Sequence, residues 1–106
     1  MVRLQLKQIE NITNRLRAYK PEKVILFGSY AWGRPDKSSD ADLLVVKRSR
    51  KPKHHRIEEV ERLLYPAPMP VDVLVYTPEE LRQRLKLGDF FFTRIANEGK
   101  VLYERK

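Results

Sequence analysis

The apolar residues of this chain recur with two different spacings, which together predict a domain built from both helices and strands. Spacings of three and four residues predict two amphipathic helices, one ending near "YKPE" and one ending before the prolines of "YPAPMP". Short apolar runs rich in β-branched residues predict strands. The helical stripes are Leu6, Ile9, Ile12, Leu16 and Tyr19, then Ile57, Val60, Leu63 and Leu64; the runs are "KVILF" (23–27), "ADLLVV" (41–46) and "VDVLVY" (71–76).

The last third of the chain predicts two shorter helices and a final strand or extended tail. Thr77, Pro78 and Glu80 supply a hydroxyl cap, a proline at the first helical position and a glutamate three residues after the cap. The segment "DFFFTRIANE" predicts the second short helix, which Gly99 closes. Consecutive helical residues lie about 100° apart, so Phe90–Phe92 cannot all point inward. At least one is expected at the surface, either as a harmless aromatic or as part of a partner-binding patch.

This order of elements predicts a small mixed β-sheet with helices, an α/β or α+β two-layer architecture. The length of 106 residues fits one compact domain, so we expect residues 1–106 to form a single unit. An active site that needs a second lobe would have to borrow it from a partner.

Composition narrows the possible chemistry. The sequence contains no cysteine, which excludes disulfides, thiol nucleophiles and zinc-thiolate sites and favours hard cations held by carboxylates. No apolar run reaches membrane-spanning length, and the first residues lack a signal-peptide core, so we expect a cytoplasmic protein with no membrane partner. The net charge of +8 favours nucleotides or other polyanions as partners. Much of that charge lies in "KRSRKPKHHR" (47–56), which fits either a solvated loop or a docking segment.

Gly28 and Ser29 follow the first predicted strand and precede "YAW", which has room for about one helical turn. The backbone N–H groups at such a helix start can face a phosphate, and glycine allows the phosphate to approach closely. Ser29 can cap the helix or donate its hydroxyl to a phosphate oxygen. Gly-Ser pairs also fill ordinary turns, so this feature alone does not identify a binding site.

Three aspartates strengthen the case for a phosphate and metal site. Asp40 and Asp42 are two residues apart at the start of the second strand, so their side chains should point the same way. Like charges held this close favour a cation between them, although a simple polar strand entrance is also possible. Asp72 interrupts an otherwise apolar strand, where a buried carboxylate would need a partner. If the third strand lies beside the second, Asp72 completes a cluster suited to magnesium.

The stretch "GSYAWGRPDKSSDADLLVV" resembles the signature of the nucleotidyltransferase superfamily typified by DNA polymerase beta. Gly28-Ser29, ten intervening residues and Asp40-Ala41-Asp42 match the form found in minimal nucleotidyltransferases of HEPN-linked toxin–antitoxin pairs, and Asp72 stands where the family keeps its third acid. The resemblance covers roughly residues 23–76.

The resemblance implies a nucleotidyltransferase fold, a small mixed sheet with helices mainly on one face. It also implies transfer of AMP from Mg-ATP to a hydroxyl of a HEPN-domain RNase toxin, which the chain would silence as its antitoxin. Two magnesium ions are then expected on the catalytic aspartates. The implied metal and catalytic residues are Asp40, Asp42 and Asp72, and the implied nucleotide-binding residues are Gly28, Ser29, Gly33, Arg34 and Ser39. Related short members frequently carry basic residues where this chain has Tyr30 and Trp32.

Other functions remain open at this point. The chain could be a binding module that occludes a toxin without catalysis, using Trp32 or the exposed members of Phe90–Phe92. It could instead be a nucleotidyltransferase that acts on RNA or a small molecule. Specific nucleic-acid binding is the least favoured, because the basic segment has no interleaved aromatics for base stacking.

Overall fold

The computed structural model describes residues 3–33, 35 and 39–106. Within these residues the chain folds into four strands and five α-helices, with a short 3-10 turn after the first helix. All the helices and strands predicted from the apolar pattern are present. In chain order they are α1 (Arg3–Leu16), the 3-10 turn (Arg17–Tyr19), β1 (Lys23–Phe27), α2 (Ser29–Trp32), β2 (Ala41–Val46), α3 (Lys53–Leu64), β3 (Val71–Tyr76), α4 (Pro78–Lys86), α5 (Phe90–Glu98) and β4 (Lys100–Glu104).

The four strands form one mixed sheet in the order β3-β2-β1-β4. β1 pairs antiparallel with both β2 and β4, whereas β2 and β3 run parallel. The end of β1 therefore lies at the same end of the sheet as the starts of β2 and β3. In the strand register, Asp42 is the partner of Phe27 on one side and of Asp72 on the other. The topology thus brings together three chain segments that are far apart in sequence.

Helices cover the two faces of the sheet unequally. The two longest helices, α1 and α3, pack on the face that contains Val24, Leu43 and Val75. The opposite face packs against α4 and α5 through a smaller cluster that includes Leu44 and Phe92. The mixed α+β fold is as expected, and most helical mass lies on one face, but the second face is partly covered as well. Asp42 and Asp72 alternate with the residues of the first cluster and so lie on this second face.

The helix ends follow local sequence rules. Thr77 and Glu80 form the expected capping box at the start of α4, with Thr77 Oγ1 accepting from the Glu80 amide at 3.1 Å. Asp89 caps α5 by accepting from the amides of Phe91 and Phe92. As predicted, the three phenylalanines diverge: Phe92 is buried, whereas Phe90 is 91% exposed. In the described residues, no helix combines the length and apolar character needed to cross a membrane.

Candidate active site

The turn after β1 brings the backbone at Gly28 against the carboxylate of Asp42. Gly28 has φ 75° and ψ −154°, a conformation that is essentially restricted to glycine. A Cβ atom at this position would overlap Asp42 Oδ2 and would lie 3.1 Å from Asp42 Cγ. Glycine is therefore required here for two reasons, the backbone angle and the close approach of the aspartate.

α2 begins directly after this turn. The amides of Ala31 and Trp32 donate to the carbonyl of Gly28, at 2.9 and 3.0 Å. The amides of Ser29 and Tyr30 precede these bonds and have no acceptor within the helix. Amides at such a helix start can face an anion, which is the role that the sequence predicts here for a phosphate.

Asp42 and Asp72 are direct partners in the parallel register of β2 and β3. Partner residues on neighbouring strands point to the same face, and adjacent strands are about 4.8 Å apart. Burial, followed by the charges of Asp72 and Asp40, raises the pKa of the half-buried Asp42 carboxyl. Both predicted neighbours of Asp42 are thus close enough to repel its charge, so the structure brings the three aspartates into one electrostatic cluster.

The expectation that Asp72 is buried is wrong. Asp72 is not buried within an apolar strand; it is exposed, because β3 is the edge strand of the sheet. The apolar residues of β3 instead reflect helices on both sides, with Val75 in the first core cluster and Leu74 against the second. Asp72 therefore needs no partner to offset burial, and its relevance rests on its position beside Asp42.

The cluster is not a ready-made metal cage. Among the described residues, no three His, Cys, Asp or Glu side chains are placed to hold a metal ion by themselves. The donor set nevertheless fits magnesium, which binds through one or two carboxylates and takes further ligands from water and substrate phosphates. Among the described residues, burial first and then the charges of Asp72 and Asp40 raise the pKa of Asp42, a direction that a bound cation would oppose.

The remaining predicted nucleotide-binding residues surround the loop between α2 and β2. Gly33 ends α2 and donates its amide to the Ser29 carbonyl at 3.0 Å. Ser39 is half-buried just before the exposed Asp40. Arg34, also predicted to contact the nucleotide, lies outside the described residues.

Aromatic side chains border the site on the α5 side. Phe27 contacts the ring of Phe91 edge-on at 5.5 Å and that of Trp32 at 6.2 Å. The guanidinium of Arg94 lies 4.2 Å from the centre of the Trp32 ring. Trp32 is therefore part of a packed cluster beside the glycine turn rather than an isolated surface residue.

The structure shows that much of the basic segment is engaged within the chain. Lys51 pairs with Glu59 at 2.7 Å, and Lys53 lies 3.9 Å from the centre of the Tyr76 ring. Arg56 is buried and makes two bonds to Glu80, at 2.7 and 3.0 Å. This pair was not predicted from the sequence, although the spacing of Arg56 from Val60 and Leu64 indicates that Arg56 lies on the buried side of α3.

Solved structures with a similar fold include a protein assigned as a nucleotidyltransferase and two toxin–antitoxin structures. A Sulfolobus solfataricus protein assigned as a nucleotidyltransferase aligns with a TM-score of 0.67 and 23% identity, over 94% of this chain and 80% of that one. A toxin–antitoxin structure with AMP-PNP aligns with a TM-score of 0.63 and 25% identity, over 92% of this chain and 74% of that one. A mutant toxin–antitoxin MntA-HpeT structure aligns with a TM-score of 0.60 and 23% identity, with the same coverage. No curated protein matches significantly.

The class of protein defined by this fold is therefore the α+β nucleotidyltransferase. The model of the nucleotidyltransferase domain family matches residues 6–101, and the chain belongs to that family.

Proposed function

We propose that the chain transfers AMP from Mg-ATP to a hydroxyl group of a partner protein, a HEPN-domain toxin, and thereby acts as its antitoxin. The observation that carries the proposal is the contact of Gly28 with Asp42 at the point where Asp42 pairs with Asp72. A triphosphate held by the glycine turn would have its reactive end next to two carboxylates.

Each residue has a role that follows from its position. The amides of Ser29 and Tyr30 hold the β- and γ-phosphates, with the Ser29 hydroxyl as a further donor. Asp72 accepts the proton of the acceptor hydroxyl, whose oxygen attacks the α-phosphorus. The bond from the α-phosphorus to the bridging oxygen breaks, and pyrophosphate leaves.

Asp40, Asp42 and Asp72 are the residues that would hold magnesium, with two ions expected when nucleotide is bound. Magnesium bound there would neutralise the charge of the triphosphate and of the leaving pyrophosphate. Asp42 is the most important of the three, since it is the carboxylate that touches the glycine turn.

The comparisons support this proposal at a coarser level. Family membership supports nucleotidyl transfer. The AMP-PNP in one related toxin–antitoxin structure favours an adenine nucleotide and a toxin partner. The HEPN identity of that partner rests on the sequence signature alone.

The direct test is incubation of the chain with α-labelled ATP, magnesium and the product of the neighbouring reading frame, followed by mass measurement of that product. We expect the mass of one or more AMP groups on the partner. Asp42→Asn should reduce labelling by about 1000-fold or more, because it removes charge from the reacting centre. Glu58→Gln, an exposed carboxylate on α3, is the matched control and should leave labelling unchanged. Equal labelling by the Asp42→Asn variant and the wild type would refute the mechanism.

A second candidate is a binding module that occludes its partner without catalysis. The exposed apolar residues at the turn between α4 and α5 favour it, since Phe90 is 91% and Leu87 69% exposed. An occluding protein should still neutralise its toxin when Asp40 and Asp42 are both replaced by Asn. An enzyme with the proposed mechanism should lose this protection.

The third candidate, transfer to RNA or a small molecule, receives no support from the basic segment. Lys51, Lys53 and Arg56 are used in contacts within the chain, which leaves fewer charges for nucleic-acid phosphates.

A further inference from the structure

The outer edge of β3 offers hydrogen-bonding groups on either side of Asp72. The carbonyls of Pro70 and Tyr76 accept from the amides of Ala41 and Lys47, both at 2.9 Å. Even-numbered residues of β3 therefore direct their backbone groups towards β2. Because alternate residues of a strand direct these groups to opposite sides, Val71, Val73 and Val75 direct theirs away from the sheet.

The far end of this edge is already in use. Arg56 Nη1 donates to the Val75 carbonyl at 3.4 Å. Within the residues that the structure describes, the part of the edge left for a partner is Val71–Val73, which is centred on Asp72. This edge segment is two to three residues long, enough for a short strand to bind.

A groove of about 350 Å³ lies next to this edge, on the α3 side of the sheet. Its walls are mainly apolar, and Tyr65, which is 84% exposed, forms part of its lining. The charged residues of the lining are Glu61 and Asp72; the side chain of Asp72 points to the opposite face of the sheet, so Glu61 gives the groove its negative charge in a chain whose net charge is +8. The apolar wall is formed by Ile57, Leu64, Ala67, Met69, Val71 and Val73.

We propose that this edge is the acceptor site: the partner protein presents an extended segment that pairs with Val71 and Val73 and places its hydroxyl-bearing residue next to Asp72. The inference rests on the proposed function and adds the binding mode of the acceptor. The segment carries apolar residues on both sides of the hydroxyl residue, and a basic residue close to Glu61.

The alternation of side chains makes this arrangement self-consistent. A residue of the partner that pairs opposite Asp72 points to the same face as Asp72 and Asp42. It lies one strand spacing, about 4.8 Å, from Asp72. Its two neighbours point to the opposite face, where the apolar groove lies. One register therefore satisfies the backbone, the groove and the catalytic aspartates together. The acidic lining adds the preference for a basic residue.

Binding can be tested without catalysis. The probe is the peptide acetyl-Lys-Val-Tyr-Val-Lys-amide, titrated into nitrogen-15-labelled protein. We expect the amides of Val71 and Val73 to show the largest chemical-shift changes and slower hydrogen exchange. Changes confined to the turn between α4 and α5, around Phe90, would overturn the proposal.

Val73→Pro removes the outward amide and should weaken peptide binding by about tenfold relative to Val73→Ala, which keeps the amide. Both variants lose the valine packing, so their difference isolates the hydrogen bond. Equal affinities would overturn the proposal. A peptide-free dimer that Val73→Pro dissociates would also overturn it, since the edge would then serve a second copy of this chain.

The binding mode and the proposed function fail on different outcomes. If AMP is transferred to the peptide without protection of Val71 and Val73, the binding mode is wrong and the proposed function remains. If the amides are protected but wild-type protein transfers no AMP to any acceptor, the edge binds a peptide and the proposed function is wrong.

Discussion

Near the end of β3, the carboxylate of Glu80 is held by Arg56, whereas at its start Asp72 lies beside Asp42, whose pKa no cation of the described residues lowers. Two bonds from Arg56, aided by the Thr77 amide, lower the pKa of Glu80 to about 2. Burial and the neighbouring aspartates act in the opposite direction on the pKa of Asp42. Glu80, whose charge is paired with Arg56, thus lies near one end of β3. Asp42, whose charge is disfavoured by the described residues around it, lies beside the other end. Compensation stabilises the fold, and its absence leaves a place for a charged ligand.

We expect the largest effect on stability from removing the Arg56–Glu80 ion pair. Arg56→Leu should lower the free energy of unfolding by about 3 kcal/mol, because it leaves Glu80 without its cation and part of that loss is screened by solvent. Chemical denaturation measures this change. Arg62→Leu, on the exposed side of the same helix, is the control and should cost much less. If the two variants are equally stable, the Arg56–Glu80 pair has no structural role.

The requirement for glycine at position 28, next to Asp42, can be tested by comparison with Gly88. Gly28 and Gly88 both have φ 75°, but a Cβ at Gly88 would meet no atom within 4 Å. Gly88→Ala should cost about 1 kcal/mol from backbone strain. Gly28→Ala should cost about 2 kcal/mol more, because its ψ of −154° is essentially restricted to glycine and its Cβ overlaps Asp42, and should also weaken ATP binding. Thermal unfolding and nucleotide titration provide the measurements; equal losses for the two variants would remove the special contact at Gly28.

The sequence predicted the elements well because each has a local signal. The strand runs, the capping box at Thr77 and the closure of α5 by Gly99 depend on residues close together in the chain. The convergence of Gly28, Asp42 and Asp72 was also expected, but only on the assumption that the third strand lies beside the second. The parallel register of β2 and β3 now supplies that pairing.

Two features could not be obtained from local signals. The edge position of β3 depends on sheet order, so an apolar strand was taken to bury Asp72. The Arg56–Glu80 pair joins residues 24 positions apart, so the local spacing that indicates the buried side of Arg56 does not identify its partner. In both cases the missing information was the long-range packing that places one segment of the chain beside another.

The contribution of the Arg56–Glu80 pair should be visible in the pH dependence of the stability of the wild-type protein. Glu80 has a folded-state pKa of about 2, below its ordinary value of 4.5, so its contribution is present above pH 4.5 and is lost as the pH falls towards 2. After allowance for solvent screening we expect a contribution of about 1 kcal/mol. Arg56→Leu should flatten this part of the stability curve. Denaturation at a series of pH values tests it, and parallel curves for the two proteins would contradict the assignment.

The smallest effect should have the opposite sign. Without metal or nucleotide at pH 7, and after allowance for solvent screening, Asp42→Asn should raise the free energy of unfolding by about 0.5 kcal/mol, because burial disfavours the charge of Asp42, Asp72 and Asp40 repel it, and the amide carries no charge. Magnesium and ATP should reverse the order, since a ligand that binds only the folded wild type stabilises it and not the variant. Paired thermal melts with chelator and with Mg-ATP measure both signs. A variant that is less stable than wild type in chelator would show that Asp42 serves the fold, and the contrast between the two ends of β3 would then disappear.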